Sequence, residues 1–194
     1  MPPYTQAPGA RALAKERTRE TLLSAGFVLA ETTGLEGLSI NALVDTAGVS
    51  KGTFFHHFGD RTSYLVALHR RFHDGILAEV QHAVAGIRPG RDRLATMSTT
   101  YLDACLRQRG VRALILEARG QLPIQDEIVR RNSSNVDFMA IDFVTMEWPR
   151  PRAAARLWIA ANAECALIEL DARRADPEAR AALLDLLGGP QRDA

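Results

Sequence analysis

The sequence of 194 residues has no long hydrophobic run, and it contains few cysteines, aromatic residues and lysines. Because no stretch of about 18 consecutive apolar residues occurs, we expect no transmembrane helix and no membrane partner. The first residues, MPPYTQAPGARALAKER, lack an apolar core, so we expect no secretory signal and a cytoplasmic protein. The formal net charge is +1, so overall charge alone does not indicate a nucleic-acid partner.

The two cysteines, Cys105 and Cys165, fall in separate predicted helices and lack the close spacing of metal ligands. We expect two buried thiols, because disulfides are rare in a reducing cytosol; a redox switch is the alternative. His69 and His73 are four residues apart on a predicted helix and could share a metal, but no cysteine or carboxylate cluster completes a site. We therefore expect no metal, no other cofactor and a solvent-exposed histidine pair.

The motifs of common enzyme classes are also missing. No Ser–His–Asp arrangement, phosphate-binding loop, zinc-protease motif or Cys-x-x-Cys pair occurs, and the glycines do not form a nucleotide-binding fingerprint after a strand. We therefore expect a protein that is not an enzyme. An all-helical enzyme built on buried carboxylates stays open as an alternative, with Glu117, Asp142 and Glu164 as its candidates.

The hydrophobic pattern predicts an all-α protein of about nine helices, with no strand pattern and no repeat. The prolines of 148–151 end one helix, because proline cannot continue it, and 87–90 form a second break. We predict one domain over residues 1–60 and a second over 61–194, with the fourth helix bridging them. The predicted helices are about 14–33, 39–46, 50–57, 60–85, 91–108, 111–120, 123–147 and 151–173, and a last one that opens at Asp176-Pro177.

Residues 39–58, SINALVDTAGVSKGTFFHHF, form the most informative segment. Apolar residues recur at helical spacing before Gly48, and glycine tolerates the left-handed conformation that ends a helix. Ser39 and Ser50 are placed to cap the first and the second helix of the segment. This is the layout of a helix-turn-helix, whose second helix enters the DNA major groove. On spacing alone, two short helices of an ordinary all-α enzyme remain the alternative.

The second helix of this segment begins with Lys51, Gly52 and Thr53. Free backbone N–H groups at a helix N-terminus attract phosphate, and Lys51 adds a full charge. Gly52 has no side chain to hold DNA away, and Thr53 can contact a base. The chemistry of these residues therefore suits DNA.

Phe54 and Phe58 are four residues apart, so they share a face and are predicted to pin this helix to the core. Asp60 is predicted to cap the following helix, with Arg61 in its first turn. The residues predicted nearer the open face are Phe55, His56 and His57.

Residues 31–65 resemble the DNA-binding domain of the TetR family of bacterial regulators. The resemblance implies an N-terminal helix-turn-helix domain of three helices, followed by a helical ligand-binding and dimerisation domain. Phe55 departs from it, because the family usually has a tyrosine there whose hydroxyl holds a phosphate. The residues that carry the resemblance are Gly34, Gly37, Ser39, the run Ala47-Gly48-Val49-Ser50-Lys51-Gly52-Thr53 and His57-Phe58, with Arg19, Leu22-Leu23, Ala25 and Leu29 upstream.

The resemblance implies a transcriptional regulator, most typically a repressor, that binds a palindromic operator in double-stranded DNA as a homodimer. A small-molecule effector is implied to release it. A TetR-like interaction module that has lost DNA binding is the alternative. The residues implied to contact DNA are Arg17, Ser39, Ser50, Lys51, Gly52, Thr53, Phe55, His56, His57 and Arg61.

The eighth predicted helix is apolar on most sides, so it must be buried. Together with the last helix it resembles the pair by which TetR-like proteins dimerise, although both helices could instead close the core of one chain. The predicted interface residues are Leu157, Trp158, Ala161, Leu167, Ile168, Leu183, Leu184 and Leu187. Members of the family bind effectors among helices four to eight. Ordinary core and surface positions are the alternative reading of the residues that we select there. The candidate effector residues are Met97, Tyr101, Glu117, Asn135, Phe138, Met139, Asp142, Phe143 and Asn162.

Overall fold

The structure, a computed structural model, describes residues 9–118, 120 and 122–188. These residues form nine α-helices and a terminal 3-10 turn, with no strand among them, which confirms the predicted all-α class. None of the described helices combines the length and hydrophobicity needed to cross a bilayer. The helices are α1 (Ala10–Gly37), α2 (Ile40–Ala47), α3 (Lys51–Phe58), α4 (Arg61–Ala83), α5 (Arg91–Arg107), α6 (Arg109–Ala118), α7 (Leu122–Thr145), α8 (Pro151–Ala172) and α9 (Pro177–Asp185).

The predicted helix-turn-helix is present as α2 and α3. Ser39 Oγ accepts a hydrogen bond from the Ala42 N–H at 3.2 Å, and Ser50 Oγ accepts one from the Thr53 N–H at 3.1 Å. Both predicted N-caps are therefore confirmed. Gly48 ends α2 in the left-handed conformation, at φ 66° and ψ 35°, as the sequence predicts.

Aromatic packing fixes α3 to α4. The ring of Phe54 lies 5.4 Å from that of Tyr64, and the ring of Phe58 packs edge to face on Tyr64 at 4.9 Å. The Tyr64 hydroxyl donates to the Leu22 carbonyl of α1 at 2.9 Å. The predicted anchoring by Phe54 and Phe58 is confirmed, and Tyr64 extends it to α1.

Buried ion pairs hold the later helices together. The carboxylate of Asp142 on α7 is fully buried and binds Arg93 of α5 at 2.5 Å. Glu169 of α8, also fully buried, binds Arg180 of α9 at 2.5 Å, and Arg180 reaches Asp103 of α5 at 2.6 Å. Because a buried carboxylate without a partner is costly, these pairs fix the positions of the helices that carry them.

Cys105 and Cys165 are buried free thiols, as expected. The prediction of a solvent-exposed histidine pair is wrong. His69 is only 1% exposed, and its ring centroid lies 4.5 Å from that of His73. His73 is partly buried. The pair is covered because this side of α4 packs against neighbouring helices, chiefly α5 and α7.

Helix α6 lies directly on α1. A Cβ added to Gly110 would lie 2.6 Å from the Ala30 carbonyl oxygen and 2.6 Å from Glu31 Cα. The Gly110 N–H donates to the Glu31 carboxylate at 3.1 Å, and the Glu117 carboxylate accepts from the Leu35 N–H at 2.9 Å. These interactions, called here the α6–α1 contact, join both ends of α6 to the first helix.

We expect Gly110→Ala to lower the free energy of unfolding by about 1–3 kcal/mol, because the new methyl group would overlap backbone atoms of α1. Chemical denaturation followed by circular dichroism measures the change. Gly75→Ala in α4 is the matched control. Its Cβ would meet only the flexible end of Arg71, at 3.5 Å, so we expect a stabilisation of up to about 1 kcal/mol. Equal effects of the two substitutions would contradict the α6–α1 contact.

Candidate nucleic-acid interface

The N-terminus of α3 presents a cation and a capped helix end on the surface. Lys51 is exposed, and it makes no ion pair with any described residue. The Ser50 hydroxyl, 3.0 Å from the Thr53 hydroxyl, holds the first turn together. The positive end of the helix dipole and the Lys51 ammonium therefore lie together at a surface suited to phosphate.

Internal packing does not require glycine at position 52. A Cβ there would lie 3.6 Å from Ser50 Oγ, an ordinary contact, with no closer neighbour. Gly52 is exposed, so its missing side chain leaves room on the outer surface. The structure therefore agrees with the sequence-based reason for this glycine, a close approach by an outside partner.

Cations of α1 lie beside the far end of α3. Burial lowers the pKa of His57, and the charges of His56, Lys15 and Arg19 lower this pKa further. The Arg19 guanidinium lies 5.2 Å from the centre of the Phe58 ring, a cation–π contact. The basic start of α1 and the recognition helix therefore share one electropositive region.

Arg19 is a candidate that the sequence analysis did not select as a DNA contact. The sequence signals for it are its place in a run of basic residues with Lys15 and Arg17 and its match to the family's first helix. Helical spacing alone does not show which of these residues turns towards α3.

The structure gives Arg61 an intramolecular role, while its predicted DNA contact stays a prediction. Its Nε donates to the Leu38 carbonyl at 3.0 Å, and one terminal nitrogen donates to the Leu35 carbonyl at 2.6 Å. Both carbonyls lie where α1 ends and the chain turns towards α2. Arg61 therefore ties this turn to the first turn of α4.

The comparisons with known proteins agree with this geometry. A sequence profile described as "Bacterial regulatory proteins, tetR family" matches residues 22–68, which run from α1 into α4. Residues 22–68 therefore match the DNA-binding segment of that family. The chain is similar to the HTH-type transcriptional repressor KstR2 of Rhodococcus jostii (strain RHA1), with 28% identity over 90 residues. That match spans 46% of this chain and 44% of the relative.

Solved structures extend the likeness to the whole TetR-family fold. A transcriptional regulator from Rhodococcus sp. Rha1 is 25% identical, with a TM-score of 0.76 over 88% of this chain and 94% of that one. The multidrug binding protein EbrR, solved with imidazole, is 21% identical, with a TM-score of 0.71 over 91% and 98% of the two chains. The described residues thus have the fold of TetR-type regulators, with an N-terminal helix-turn-helix and a helical C-terminal part.

The predicted DNA-contacting residues differ in exposure. His57, Arg61 and Thr53 are partly buried. The exposed members of the prediction are Arg17, Ser39, Ser50, Lys51, Gly52, Phe55 and His56. We call the following residues the α3 surface: Ser50, Lys51, Gly52, Thr53, Phe55 and His56.

Several predicted effector residues have other partners. Both carboxylate oxygens of Asp142 bind Arg93, whereas Glu117 is exposed and binds the Leu35 N–H through one oxygen in the α6–α1 contact. Glu164, the third carboxylate of the enzyme alternative, is exposed. These three acidic groups therefore form no common site, which weakens the enzyme alternative.

The other predicted effector residues are spread over three helices. Met97 and Tyr101 lie on α5, and Asn162 of α8 donates to the Trp158 carbonyl at 2.8 Å. Asn135 of α7 lines a surface groove of 430 Å³. The remaining members are the partly buried Phe138 and Met139 and the buried Phe143.

Three predicted dimer residues belong to the core of the single chain. Trp158, Leu183 and Leu187 are buried against neighbouring helices, so their side chains are not open to a second chain. Much of the apolar surface of α8 packs within the single chain, so only part of it is exposed to solvent. Ala161, Leu167 and Leu184 are partly buried, whereas Leu157 is 72% exposed and Ile168 is 41% exposed.

We expect Arg61→Ala to lower the free energy of unfolding by about 1–2 kcal/mol, because two charged hydrogen bonds to backbone carbonyls are lost. Thermal and chemical denaturation measure the change. Lys51→Ala is the control, since Lys51 is exposed, and it should leave stability within about 0.5 kcal/mol of the parent. Unchanged stability of Arg61→Ala would mean that these hydrogen bonds do not stabilise the fold, and would leave DNA contact as the proposed role of Arg61.

Proposed function

We propose that this protein is a TetR-family repressor that binds a palindromic operator as a homodimer and leaves it when a small-molecule effector binds. It acts on double-stranded DNA in the cytoplasm. The α3 surface is the observation that carries the proposal. We place DNA binding in residues 1–60, and effector binding and dimerisation in residues 61–194, with α4 shared.

The chemistry of the α3 surface supports DNA over an acidic protein partner. Lys51 and the helix N-terminus supply a phosphate site, while Thr53, one turn along, offers a hydroxyl and a methyl group suited to base edges. Arg17 and Lys15 on α1 add cations beside it. Phosphate contacts position a protein on DNA and base contacts specify sequence, so this surface has groups for both.

A single recognition helix contacts only a few base pairs, which is the reason to propose a dimer. Two such helices about 34–36 Å apart read two half-sites of a palindrome. Ile141 and Val144 of α7 and Leu157 and Ile168 of α8 are large exposed apolar side chains on two helices that pack together. A self-complementary apolar patch suits a two-fold dimer.

The effector part of the proposal rests on the fold and on two-state thermodynamics. EbrR, of the same fold, is described as a multidrug binding protein and holds imidazole. An effector releases DNA only by binding more tightly to the arrangement that fits the operator less well. The α6–α1 contact supplies a path between the later helices and α1.

Selection of bound sequences from random duplex DNA, with purified protein at a stated salt concentration, tests the proposal. We expect one palindrome. Lys51→Ala should weaken binding to all sequences and reduce the slope of log K against log salt by about one, because one phosphate contact is lost. Thr53→Ala should change base preference instead.

Arg88→Ala, which removes an exposed cation from the loop before α5, is the control and should change neither property. Recovery of no sequence above background would favour an interaction module without DNA binding. An unchanged base preference in Thr53→Ala would mean that α3 is oriented differently on DNA.

We expect Leu157→Asp to raise the dimer dissociation constant about thirtyfold or more, since a charge would enter an apolar interface. Sedimentation velocity over a range of concentrations measures this. Val129→Asp is the control. Val129 is 66% exposed, close to the 72% of Leu157, and it lies near the N-terminus of α7, away from Ile141 and Val144. This substitution should leave the dissociation constant unchanged. A Leu157→Asp protein that dimerises like the parent would place the interface elsewhere.

A further inference from the structure

Basic side chains are buried between α4, α6 and α7, and DNA binding does not use them. His69 is 1% exposed and Arg112 is 7% exposed. Neither ring nitrogen of His69 has a hydrogen-bond partner among the described residues, and the same is true of Arg112 Nε. Buried polar groups in folded proteins are nearly always hydrogen-bonded, so these unpartnered groups indicate an absent partner.

Arg112, His69, His73 and Arg131, called here the basic cluster, lie close enough to affect one another. Burial is the largest cause of the lowered pKa of His69, about 4, and of His73, and the charges of Arg131 and Arg112 lower both pKa values further. Both imidazoles are therefore neutral at neutral pH, and each can donate one hydrogen bond.

The nearest anionic side chain is already used. Glu127 acts on His69, but it is bound by Arg70 at 2.8 Å and by Arg130, with Arg131 at 3.8 Å. Arg131 also binds Asp74 at 2.7 Å. These contacts leave Glu127 no spare capacity to neutralise a further guanidinium.

The side chains beside Arg112 on α5 cannot neutralise it either. Tyr101 and Cys105 interact with Arg112, and burial raises the pKa of both groups, so both are neutral. Arg112 itself makes no ion pair with a described residue. A guanidinium buried without a counter-ion is costly, and a bound anion would remove that cost.

We propose that the effector is a small organic anion with an apolar body, whose carboxylate or sulfonate group binds Arg112 and accepts hydrogen bonds from His69 and His73. This inference rests on the proposed effector-responsive function and names its ligand class. None of these three side chains was among the effector candidates drawn from the sequence.

A groove on the surface adjoins the basic cluster. It has a volume of 430 Å³ and is lined by Arg70, Arg130 and Arg131 among others, with Asp74 and Glu127 as its acidic groups. Its volume falls within the range of about 300–1,000 Å³ typical of small-molecule sites. Arg131 is the member of the basic cluster that lines the groove, and its charge also acts on both histidines, so it links the groove to the cluster.

The position of Arg112 on α6 connects the anion site to DNA binding. Both ends of α6 are bound to α1, at Gly110 and at Glu117. An anion that draws Arg112 towards the histidines of α4 therefore favours one placement of α6, and α1 moves with it. Differential affinity for the two placements is what release requires.

A matched pair of fluorescent probes tests the ligand class. The full chain is titrated with anilinonaphthalene sulfonate and with phenylnaphthylamine, which has the same aromatic skeleton without the sulfonate. We expect the sulfonate probe to bind more tightly. Arg112→Met should weaken the sulfonate probe about tenfold, the loss expected for a charged hydrogen bond, and leave the neutral probe unchanged.

Two further variants control this comparison. Arg109→Met removes an exposed cation from the same helix and should change neither probe, whereas Arg112→Lys should retain the preference for the sulfonate. The unliganded Arg112→Met protein should melt at the same temperature as the parent or higher, because an unpaired buried charge has been removed. A lower melting temperature would make Arg112 a structural residue and overturn the proposal.

Operator binding separates the two proposals. In the parent, the sulfonate probe should weaken operator binding; Arg112→Met should bind the operator normally and be insensitive to the probe. If the parent protein selects no DNA sequence, the repressor function is overturned. The difference in affinity between the two probes still tests the anion site in that case. Equal binding of both probes, a preference that survives in Arg112→Met, or sulfonate binding without operator release would overturn the anionic effector.

Discussion

The backbones of α6 and α1 meet at Gly110 without an intervening side chain. Glu31 of α1 accepts from the Gly110 N–H of α6, and Glu117 of α6 accepts from the Leu35 N–H of α1. Since α6 also packs against α4 and α5, this contact fixes how the later helices sit on the helix-turn-helix. Small residues permit such an approach, and polar side chains at its ends make it specific.

A few buried side chains couple the position of α1 to that of the recognition helix, α3. The Tyr64 hydroxyl holds the Leu22 carbonyl, and its ring packs on Phe54 and Phe58. Arg61 adds hydrogen bonds to the carbonyls at the end of α1. Because packed interiors transmit small displacements, a shift of α1 must move α3 with it. A change in the placement of α6 would therefore alter the spacing of two recognition helices in a dimer.

The sequence predicts most of the helices and the capping of α2 and α3, because Ser39, Gly48 and Ser50 act on neighbours within a few residues. It fails for the exposure of His69, and it does not reveal the hydrogen bonds of Arg61, because the surroundings of both residues come from distant parts of the chain. Position 69 is covered by elements that carry Arg112 and Arg131, and helical periodicity in α4 cannot show that several helices cover it. Position 61 meets the carbonyls of Leu35 and Leu38. These residues follow Gly34, whose φ of 61° and ψ of −166° interrupt α1 directly after the helix end that the pattern predicts.

The other buried charged side chains that this structure describes are paired with opposite charges, and Arg112 differs from them. The buried carboxylates of Asp142 and Glu169 each bind an arginine with two or more hydrogen bonds. Glu127, almost as buried, binds several arginines. Arg112, by contrast, is buried beside neutral groups and makes no ion pair with a described residue. A purely structural position would gain by losing this charge, as replacement of buried charges by apolar residues often stabilises proteins. A guanidinium kept there is best explained by a ligand that supplies the opposite charge.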